Sequence, residues 1–249
     1  MEPFFQYLHI LNCSIYRALL TSQNGQWEFL VNISLNRTTV FFGLLCLGYL
    51  LVAPFTSIEF SALLKIAPIL FLSFLAAKTE INSLSAHLLL ALLFSMGGDV
   101  LLEMGLFVPG LSSFLLAQFL YGSLFLRYHG SWSANHQISL LLASISLVMA
   151  YVMWIYAGDM RLPVIAYLLV ITFMGLSANT STIKGVTLGA AVFIFSDSII
   201  AINRFVVEVP AADWLIMTSY YVAQFLLVSR VTQEVRVETE QTREEIGAG

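Results

Sequence analysis

The sequence predicts an all-α fold: a polytopic membrane bundle of about eight transmembrane helices. Hydrophobic residues make up 59% of the 249 residues and charged residues only 10%, whereas soluble domains usually carry about 25% charged residues. The mean hydropathy is +0.86, and a soluble fold of this size has no way to bury so much apolar surface. The apolar residues also fall into runs of about 20 residues, the length that a helix needs to cross a bilayer.

Eight such runs follow one another with short connections between them. The predicted spans are 38–55, 61–77, 87–104, 107–126, 138–157, 162–178, 185–203 and 211–230. Because no long linker divides them, residues 38–230 are expected to form one membrane domain. The runs are too long for the strands of a membrane β-barrel, and they lack the alternation with a period of two that such strands need.

The two ends of the chain differ from this membrane domain. Residues 1–37 mix apolar and polar side chains and lack the basic start, apolar core and cleavage site of a signal peptide. Part of this N-terminal segment is expected to form an interfacial helix. Residues 231–249 alternate charges of both signs, and we expect them to form a solvated, partly disordered cytoplasmic tail.

The Lys and Arg residues predict the orientation. When eight spans are threaded, eight Lys and Arg fall on the side of the N-terminus and three on the other side. Because positive residues in short loops favour the cytoplasm, both termini are expected to be cytoplasmic. The glycosylation triplets at Asn12, Asn32, Asn36 and Asn179 then face the cytosol and stay unmodified. We expect the membrane to be the endoplasmic reticulum or another endomembrane.

Several function classes are excluded or left without support. The net charge is −4 and there is no basic stripe, so nucleic-acid binding is not expected. Two cysteines do not make a disulfide framework. The chain has no HExxH, no cluster of Cys and His ligands and no GxSxG, so neither zinc nor serine-hydrolase chemistry is indicated. We predict no metal and no cofactor.

Charged residues inside the spans are the first candidates for function, since each costs about 2.5–3.5 kcal/mol to insert near the bilayer centre. Lys65, Asp99 and Asp197 lie at a similar depth on three different spans, with Tyr167 near the same level on a fourth. This common depth predicts one polar pocket. Two carboxyls close together in apolar surroundings favour unequal protonation, so we expect one protonated acid and one carboxylate.

Helical spacing adds candidates and alternatives. Ser95, Asp99 and Glu103 share one face at i, i+4 and i+8, and Arg204 lies seven residues, or about 10 Å, beyond Asp197. Glu103 and Arg204 stand at span ends and are expected to be interfacial, and Lys65 is close enough to a span end to snorkel to water. Buried hydrogen bonding between helices is the alternative for both aspartates. Gly97-Gly98 is expected to allow close helix packing rather than to act as a catalytic hinge. Tyr220 and Tyr221 are either hydrogen-bond donors in the pocket or bulky side chains that face lipid.

A weak internal sequence repeat links the two halves of the domain. Phe94-Ser95 precedes Asp99 in the third span, and Phe195-Ser196 precedes Asp197 in the seventh. Ala117-Gln118-Phe119-Leu120 in the fourth span recurs as Ala223-Gln224-Phe225-Leu226 in the eighth. A duplication of four spans would keep both halves in the same orientation, as in parallel repeats. Matches this short also arise by chance in apolar sequence.

The motifs around the two aspartates resemble those of the YhhN-like membrane proteins, the lysoplasmalogenase family. Phe94-Ser95-Met96-Gly97-Gly98-Asp99-Val100-Leu101-Leu102 is similar to that family's S-x-x-G-D-x-x-L span. The segment from Phe193 to Phe205 resembles its F-x-x-S-D-x-x-x-A-x-N-[RK]-F signature. Tyr220-Tyr221-Val222-Ala223-Gln224 and Lys65-Ile66-Ala67-Pro68 fit its Y-Y-x-A-Q and K-x-x-P motifs. The resemblance covers roughly residues 38–230. One position departs from it: Gln118 stands where the family often has His.

The resemblance implies a hydrolase of the vinyl ether bond of lysoplasmalogens, with a lysophospholipid substrate taken from the surrounding lipids. It implies Asp197 as the acid and Asp99 as the stabilising carboxylate or base, with the reverse assignment open. This division of labour is similar to that of the paired carboxyls at a glycosidic bond. Either Lys65 or Arg204 is expected to hold the phosphate. The other implied substrate-binding residues are Asn203, Tyr220, Tyr221, Gln118 and Gln224.

Three other functions stay open. Intramembrane carboxylates also serve proton-coupled transporters and lipid carriers. An intramembrane aspartyl protease is disfavoured, because its G-x-G-D motif is broken by Met96. A non-catalytic membrane protein of the hydrolase family is the third alternative, with Gln118 marking the loss of activity. The sequence leaves the oligomeric state undetermined.

Overall fold

The computed structural model describes residues 37–79, 83–130 and 136–247. Within them the chain forms eight α-helices, which confirms the predicted all-α membrane bundle. In chain order they are α1 (Arg37–Val52), α2 (Ile58–Ala77), α3 (Ser83–Glu103), α4 (Phe107–Arg127), α5 (His136–Tyr156), α6 (Arg161–Thr180), α7 (Val186–Phe205) and α8 (Ala212–Gly247). The predicted N-terminal segment, with Asn12, Asn32 and Asn36, lies outside the described residues except for Arg37.

Several helices begin up to four residues before the apolar runs, because helix starts favour polar residues. Ser57 precedes α2, and its side chain accepts a hydrogen bond of 3.4 Å from the Phe60 N–H. Short 3₁₀ turns, Ala53–Phe55 and Gly158–Met160, precede α2 and α6.

Seven helices, α1 to α7, are long and apolar enough to cross a membrane. The apolar half of α8 is interrupted by Asp213 and Gln224, and this helix is not among the seven. It nevertheless packs along α7 and contacts α2 and α3. The eighth span therefore stays a prediction, as does the sidedness of the C-terminus.

The centre of the bundle is a ring of five helices. Around this ring α3 packs on α4, α4 on α6, α6 on α7, α7 on α8, and α8 back on α3. Outside it, α2 lies against α3 and α8, and α5 against α6 and α7. Leu140 and Leu147 of α5 are 70% and 72% exposed, as suits a helix that faces lipid.

Two glycines allow the closest approaches in this ring. A Cβ on Gly98 would lie 2.5 Å from the Phe114 ring, and one on Gly122 would lie 2.5 Å from Phe173. Gly98 therefore brings α3 against α4, as small residues do between membrane helices. The helix-packing alternative for Gly98 agrees with this contact.

The expected disorder of the C-terminal tail is wrong, since α8 continues through it as far as Gly247. No Gly or Pro interrupts residues 213–246, and Val231 and Val235 are fully buried. The Tyr128 hydroxyl donates a hydrogen bond of 3.2 Å to Glu238. Burial, together with the hydrogen bond to Glu238 and its charge, raises the pKa of Tyr128 to about 12. Alternating charge thus marks the outer face of a packed helix.

Candidate active site between a polar chamber and an apolar groove

Asp99 is enclosed where α3 packs against α8. Its carboxylate accepts a hydrogen bond of 2.7 Å from the Tyr220 hydroxyl, and the residue is only 2% exposed. The Tyr220 ring packs edge-on against Phe114 and Phe193. Packing of the tyrosine ring therefore fixes the direction from which Asp99 receives its hydrogen bond.

A buried polar network extends from Asp99 towards α4. The Gln224 amide donates to the Ser95 hydroxyl at 3.1 Å and to the Tyr220 hydroxyl at 3.3 Å. Its carbonyl oxygen accepts a hydrogen bond of 2.7 Å from the Tyr121 hydroxyl. Because buried polar groups need such partners, the network holds Gln224 in one orientation and supports Tyr220 from behind.

Asp197 has a different setting, on the wall of an apolar groove. The Tyr167 hydroxyl of α6 donates a hydrogen bond to its carboxylate. The groove holds about 690 Å³ of space. Besides Asp197 and Tyr167 it is lined by Leu102, Phe107, Leu111, Phe114, Ile145, Ser146, Met149, Val164, Leu168, Ile171, Ile194, Ser198, Ile200, Ala201 and Phe205. These residues define the apolar groove.

Gln118 lies close to the Tyr167 hydroxyl. It is fully buried, and neither its amide nitrogen nor its oxygen has a hydrogen-bond partner among the described residues. A buried amide without partners costs free energy. Gln118 is therefore a group beside Tyr167 with unused capacity both to donate and to accept a hydrogen bond.

Lys65 and Glu103 form a salt bridge of 3.0 Å between α2 and α3. The Ser61 hydroxyl donates a hydrogen bond to the other oxygen of Glu103. Lys65 is only 9% exposed, so a carboxylate partner is what its burial requires. Lys65 and Glu103 stand on the wall of a second cavity.

This second cavity, the polar chamber, holds about 940 Å³ of space. Its charged lining consists of Lys65, Glu103 and Asp213. The remaining lining residues are Tyr49, Leu50, Ala53, Pro54, Ser61, Leu102, Ile200, Trp214, Ile216 and Met217. Asp213 lies in the first turn of α8 and is exposed. The polar chamber therefore combines one cation, two anions and two aromatic rings.

The groove and the chamber are neighbours. Leu102 and Ile200 line both of them. Asp99 and Asp197 are also close enough for their charges to interact, and the charge of Lys65 reaches Asp99. The predicted single pocket is thus divided: Asp197 and Tyr167 line the groove, Lys65 lines the chamber, and Asp99 lines neither, although the charges of these groups interact.

Other predicted residues lie elsewhere. Arg204 is exposed, and its guanidinium carbon stacks 3.9 Å above the centre of the Phe107 ring, on the rim of the groove. The Asn203 side chain accepts a hydrogen bond of 2.8 Å from the Val209 N–H and so holds the turn after α7. Neither side chain is part of the lining of the groove or the chamber.

Tyr221 supports the site from behind. Its hydroxyl donates a hydrogen bond of 2.9 Å to the Lys65 carbonyl. Pro68 has no N–H to bond the carbonyl four residues earlier, that of Leu64, and the Tyr221 hydroxyl bonds the next carbonyl along the helix. Tyr221 therefore fixes the backbone that carries Lys65, and its hydroxyl is directed at that backbone.

Sequence reasoning underestimated Glu103 and missed Ser61, Tyr121 and Asp213 as neighbours of the site. A signal existed for Glu103, which continues the face of Ser95 and Asp99. No sequence signal predicts Tyr121. Among the described residues, no group of three or more His, Cys, Asp or Glu is placed to hold a metal ion.

Known proteins resemble this chain over most of the described bundle. The YhhN family matches residues 60–231. Lysoplasmalogenase TMEM86A of Homo sapiens is 32% identical over 207 residues, which cover 75% of this chain and 85% of that protein. Lysoplasmalogenase TMEM86B of Homo sapiens is 34% identical over 183 residues, which cover 68% and 74%. The Rattus norvegicus TMEM86B is 35% identical over 181 residues, or 67% and 71%. No solved structure matches the chain.

The match to the family runs across both carboxyls, the salt bridge of Lys65 and the helices that enclose them. Because it covers more than half of the sequence, and relatives at this level of identity extend over most of the chain, this protein belongs to the YhhN family.

Proposed function

We propose that this protein is a membrane hydrolase that cleaves the vinyl ether bond of lysoplasmalogens. The products are a fatty aldehyde and glycerophosphoethanolamine or glycerophosphocholine. Relatives named lysoplasmalogenase support the reaction. The observation that carries it is the pair of carboxyls whose charges interact, one of them on the wall of a groove with the apolar lining that an alkenyl chain needs.

The reaction starts with transfer of a proton from Asp197 to the vinyl carbon that is further from the ether oxygen. The carbon bonded to that oxygen becomes an oxocarbenium centre, which the Asp99 carboxylate stabilises. Water adds to this centre and its released proton restores the acid. The resulting hemiacetal passes its hydroxyl proton to the glycerol oxygen as the C–O bond breaks, which leaves the aldehyde and the free glycerol hydroxyl.

Asp197 is assigned as the acid because it lines the apolar groove, where the alkenyl chain lies. Asp99 is assigned as the stabilising carboxylate because it is enclosed and already accepts a hydrogen bond from the Tyr220 hydroxyl. Gln118 stands beside the Tyr167–Asp197 pair with free donor and acceptor capacity and orients the water. Lys65 binds the phosphate, since it lines the chamber next to the groove.

The test is aldehyde release from lysoplasmenyl-ethanolamine by membranes that contain the full chain. The wild type is compared with Asp197→Asn and Asp99→Asn, and an acyl lysolipid with the same headgroup is the control substrate. We expect each variant to lose at least about a thousandfold in turnover, as loss of an acid or of charge stabilisation does, with expression unchanged. Retained turnover in both variants contradicts the two-aspartate mechanism.

Gln118→His separates the alternatives in the same assay. A wild type that is silent while Gln118→His releases aldehyde identifies a family member that has lost its activity. If both are silent, release of intact labelled lysolipid from vesicles tests the transporter, which moves its substrate unchanged.

We also propose the orientation predicted from the charges, with both termini cytoplasmic and the two cavities towards the opposite leaflet. The sidedness rests on the Lys and Arg count, and α8 is required to cross. A glycosylation acceptor on a flexible insert at Asp159 is expected to be modified, and the same insert at Lys184 is not. The opposite pattern reverses the topology.

A further inference from the structure

The proposed proton transfers use Asp99 and Asp197. They assign no role to Glu103 and Asp213, the two carboxylates of the polar chamber. Glu103 is bound to Lys65 and Ser61, and its side chain is still 21% exposed. Asp213 stands on the same lining, from α8. The Tyr49 side chain lies within range of the charges of both, so the two carboxylates flank one space.

We propose that the polar chamber is a binding site for an amine-bearing phosphate headgroup, in which Lys65 binds the phosphate and Glu103 with Asp213 binds the ammonium. The inference rests on the proposed function and names the residues that select its substrate. It makes the enzyme selective for headgroups that carry a positive charge beyond the phosphate.

The charges of the chamber match such a headgroup. A lysine ammonium has three N–H donors, and the bond to Glu103 uses one of them, so the others are available to phosphate oxygens. The two carboxylates then face the positive end. A headgroup without an amine would place its phosphate on Lys65 but bring no positive group to Glu103 and Asp213, and the negative charges of phosphate and carboxylates repel.

The aromatic rings of the chamber fit both common amines. Tyr49 and Trp214 line it together with the two carboxylates. Aromatic faces attract alkylated ammonium groups, while carboxylates accept hydrogen bonds from a primary ammonium. The chamber therefore accommodates ethanolamine through hydrogen bonds and choline through charge and ring contacts.

The position of the chamber completes the argument. Leu102 and Ile200 separate it from the groove and line both. Because the two cavities share these residues, we expect a single-chain lipid with its tail in the groove to place its headgroup in the chamber.

The experiment compares two alkenyl lysolipids with the same chain, one with an ethanolamine headgroup and one with an amine-free glycerol headgroup. The full-length wild type is measured beside Glu103→Gln and Asp213→Asn. Asp159→Asn is the matched control, because Asp159 is an exposed acid that is not part of the lining of either cavity.

We expect Glu103→Gln to raise KM for the ethanolamine lipid about tenfold, as loss of a charge-assisted hydrogen bond does, with kcat within about twofold. Asp213→Asn should raise it about threefold, because the residue is exposed and its charge is screened. KM for the amine-free lipid should stay the same or fall in both variants. Asp159→Asn should change neither substrate.

An equal rise of KM for both lipids would overturn the proposal and leave Glu103 as a structural partner of Lys65. If Glu103→Gln does not fold, the exposed Asp213→Asn and Asp213→Lys decide: unchanged headgroup preference in both overturns the proposal. Preference that shifts towards the amine-free lipid, more for Lys than for Asn, supports it.

Binding of a saturated 1-alkyl ether analogue of the ethanolamine lipid separates this inference from the hydrolase itself, because the analogue has no vinyl bond to cleave. If no alkenyl lipid is hydrolysed but Glu103→Gln weakens binding of the analogue relative to its glycerol counterpart, the headgroup site stands and the proposed reaction fails. If hydrolysis occurs without headgroup selectivity in any variant, the reaction stands and the headgroup site fails.

Discussion

Asp99 and Asp197 both lie in the C-terminal half of a ring helix, yet their surroundings differ. Asp99 is enclosed by α8 and bound to a tyrosine that is itself held by a network. Asp197 faces an apolar groove and has Tyr167 as its described donor. The difference shows that depth and residue type set the free-energy cost of placing a carboxyl in a membrane. The groups packed around the carboxyl determine its chemical role.

Gln118 and Gln224, the two glutamines of the internal sequence repeat, extend this comparison. Gln224 of α8 serves the carboxyl of α3 and makes three hydrogen bonds. Gln118 of α4 lies beside Tyr167, the donor to the carboxyl of α7, and has no described hydrogen bond. Each glutamine thus lies beside the tyrosine that binds the aspartate of the other half. The hydrogen-bonding groups of Gln224 are all used, whereas those of Gln118 are unused in the part of the chain that the structure describes. We interpret the first carboxyl as a held group and the second as a reacting group.

Among changes to the groups around the two carboxyls, removing the donor to the groove carboxyl should give the largest effect. Tyr167→Phe deletes the hydroxyl bound to Asp197, and we expect kcat to fall about a hundredfold because the acid loses its orientation. The thermal midpoint should change little. Turnover and thermal melting of the purified protein check this, with Tyr156→Phe at an exposed position as control. A rise in KM with unchanged kcat contradicts the assignment.

Breaking the enclosed network should affect stability. Gln224→Met keeps the volume but removes the hydrogen bonds to Tyr121, Ser95 and Tyr220. At about 1–3 kcal/mol for buried groups left unsatisfied, we expect the thermal midpoint to fall by about 5 °C. Melting in detergent followed by circular dichroism measures it. A midpoint within error of the wild type means that the network does not support the fold.

The matched change on the other glutamine should have the reverse signature. Gln118→Met removes an amide that has no described partner, so the midpoint should stay or rise, because the desolvation cost disappears. We expect turnover to fall about tenfold, as the water loses one orienting contact. Steady-state kinetics and melting are run on the same sample. If Gln118→Met lowers the thermal midpoint as much as Gln224→Met does, the two glutamines do not differ in the way proposed.

The smallest effect is expected from narrowing the groove. Ala201→Leu adds bulk to the groove lining and should lower kcat/KM about fivefold for a long alkenyl chain, with little change for a short one, as overpacking of an apolar pocket does. A chain-length series measures it. The control is Ala143→Leu, on the exposed face of α5. Equal losses for all chain lengths mean that the tail lies elsewhere.

The sequence predicts the helices well and their partners less well. Runs of apolar residues dictate where helices form, and the cost of a buried charge is enough to single out Lys65, Asp99 and Asp197. Periodicity places a residue on a face but does not say which helix that face meets. Glu103 was therefore expected at the membrane–water interface, whereas in the structure Lys65 of α2 forms a salt bridge with it.

Two further misses have the same cause. Asp213 belongs to the chamber only because α8 packs against α7 and α2, and Arg204 leaves the site because it stacks on Phe107. Both depend on contacts between helices that are distant in sequence. The tail was mistaken for a disordered segment because its buried valines, Val231 and Val235, are outnumbered by the charges between and after them.

The late position of α8 in the chain has a consequence for biogenesis. This helix is translated after the other seven, and its hydropathy places it outside the group that inserts readily on composition alone. Its polar side chains bond to partners on α2, α3 and α4, so the packing of this helix is coupled to helices already in place. A nascent chain that ends before Ala212 carries both aspartates but lacks the donor to Asp99 and one wall of the chamber. Completion of the site therefore waits for α8.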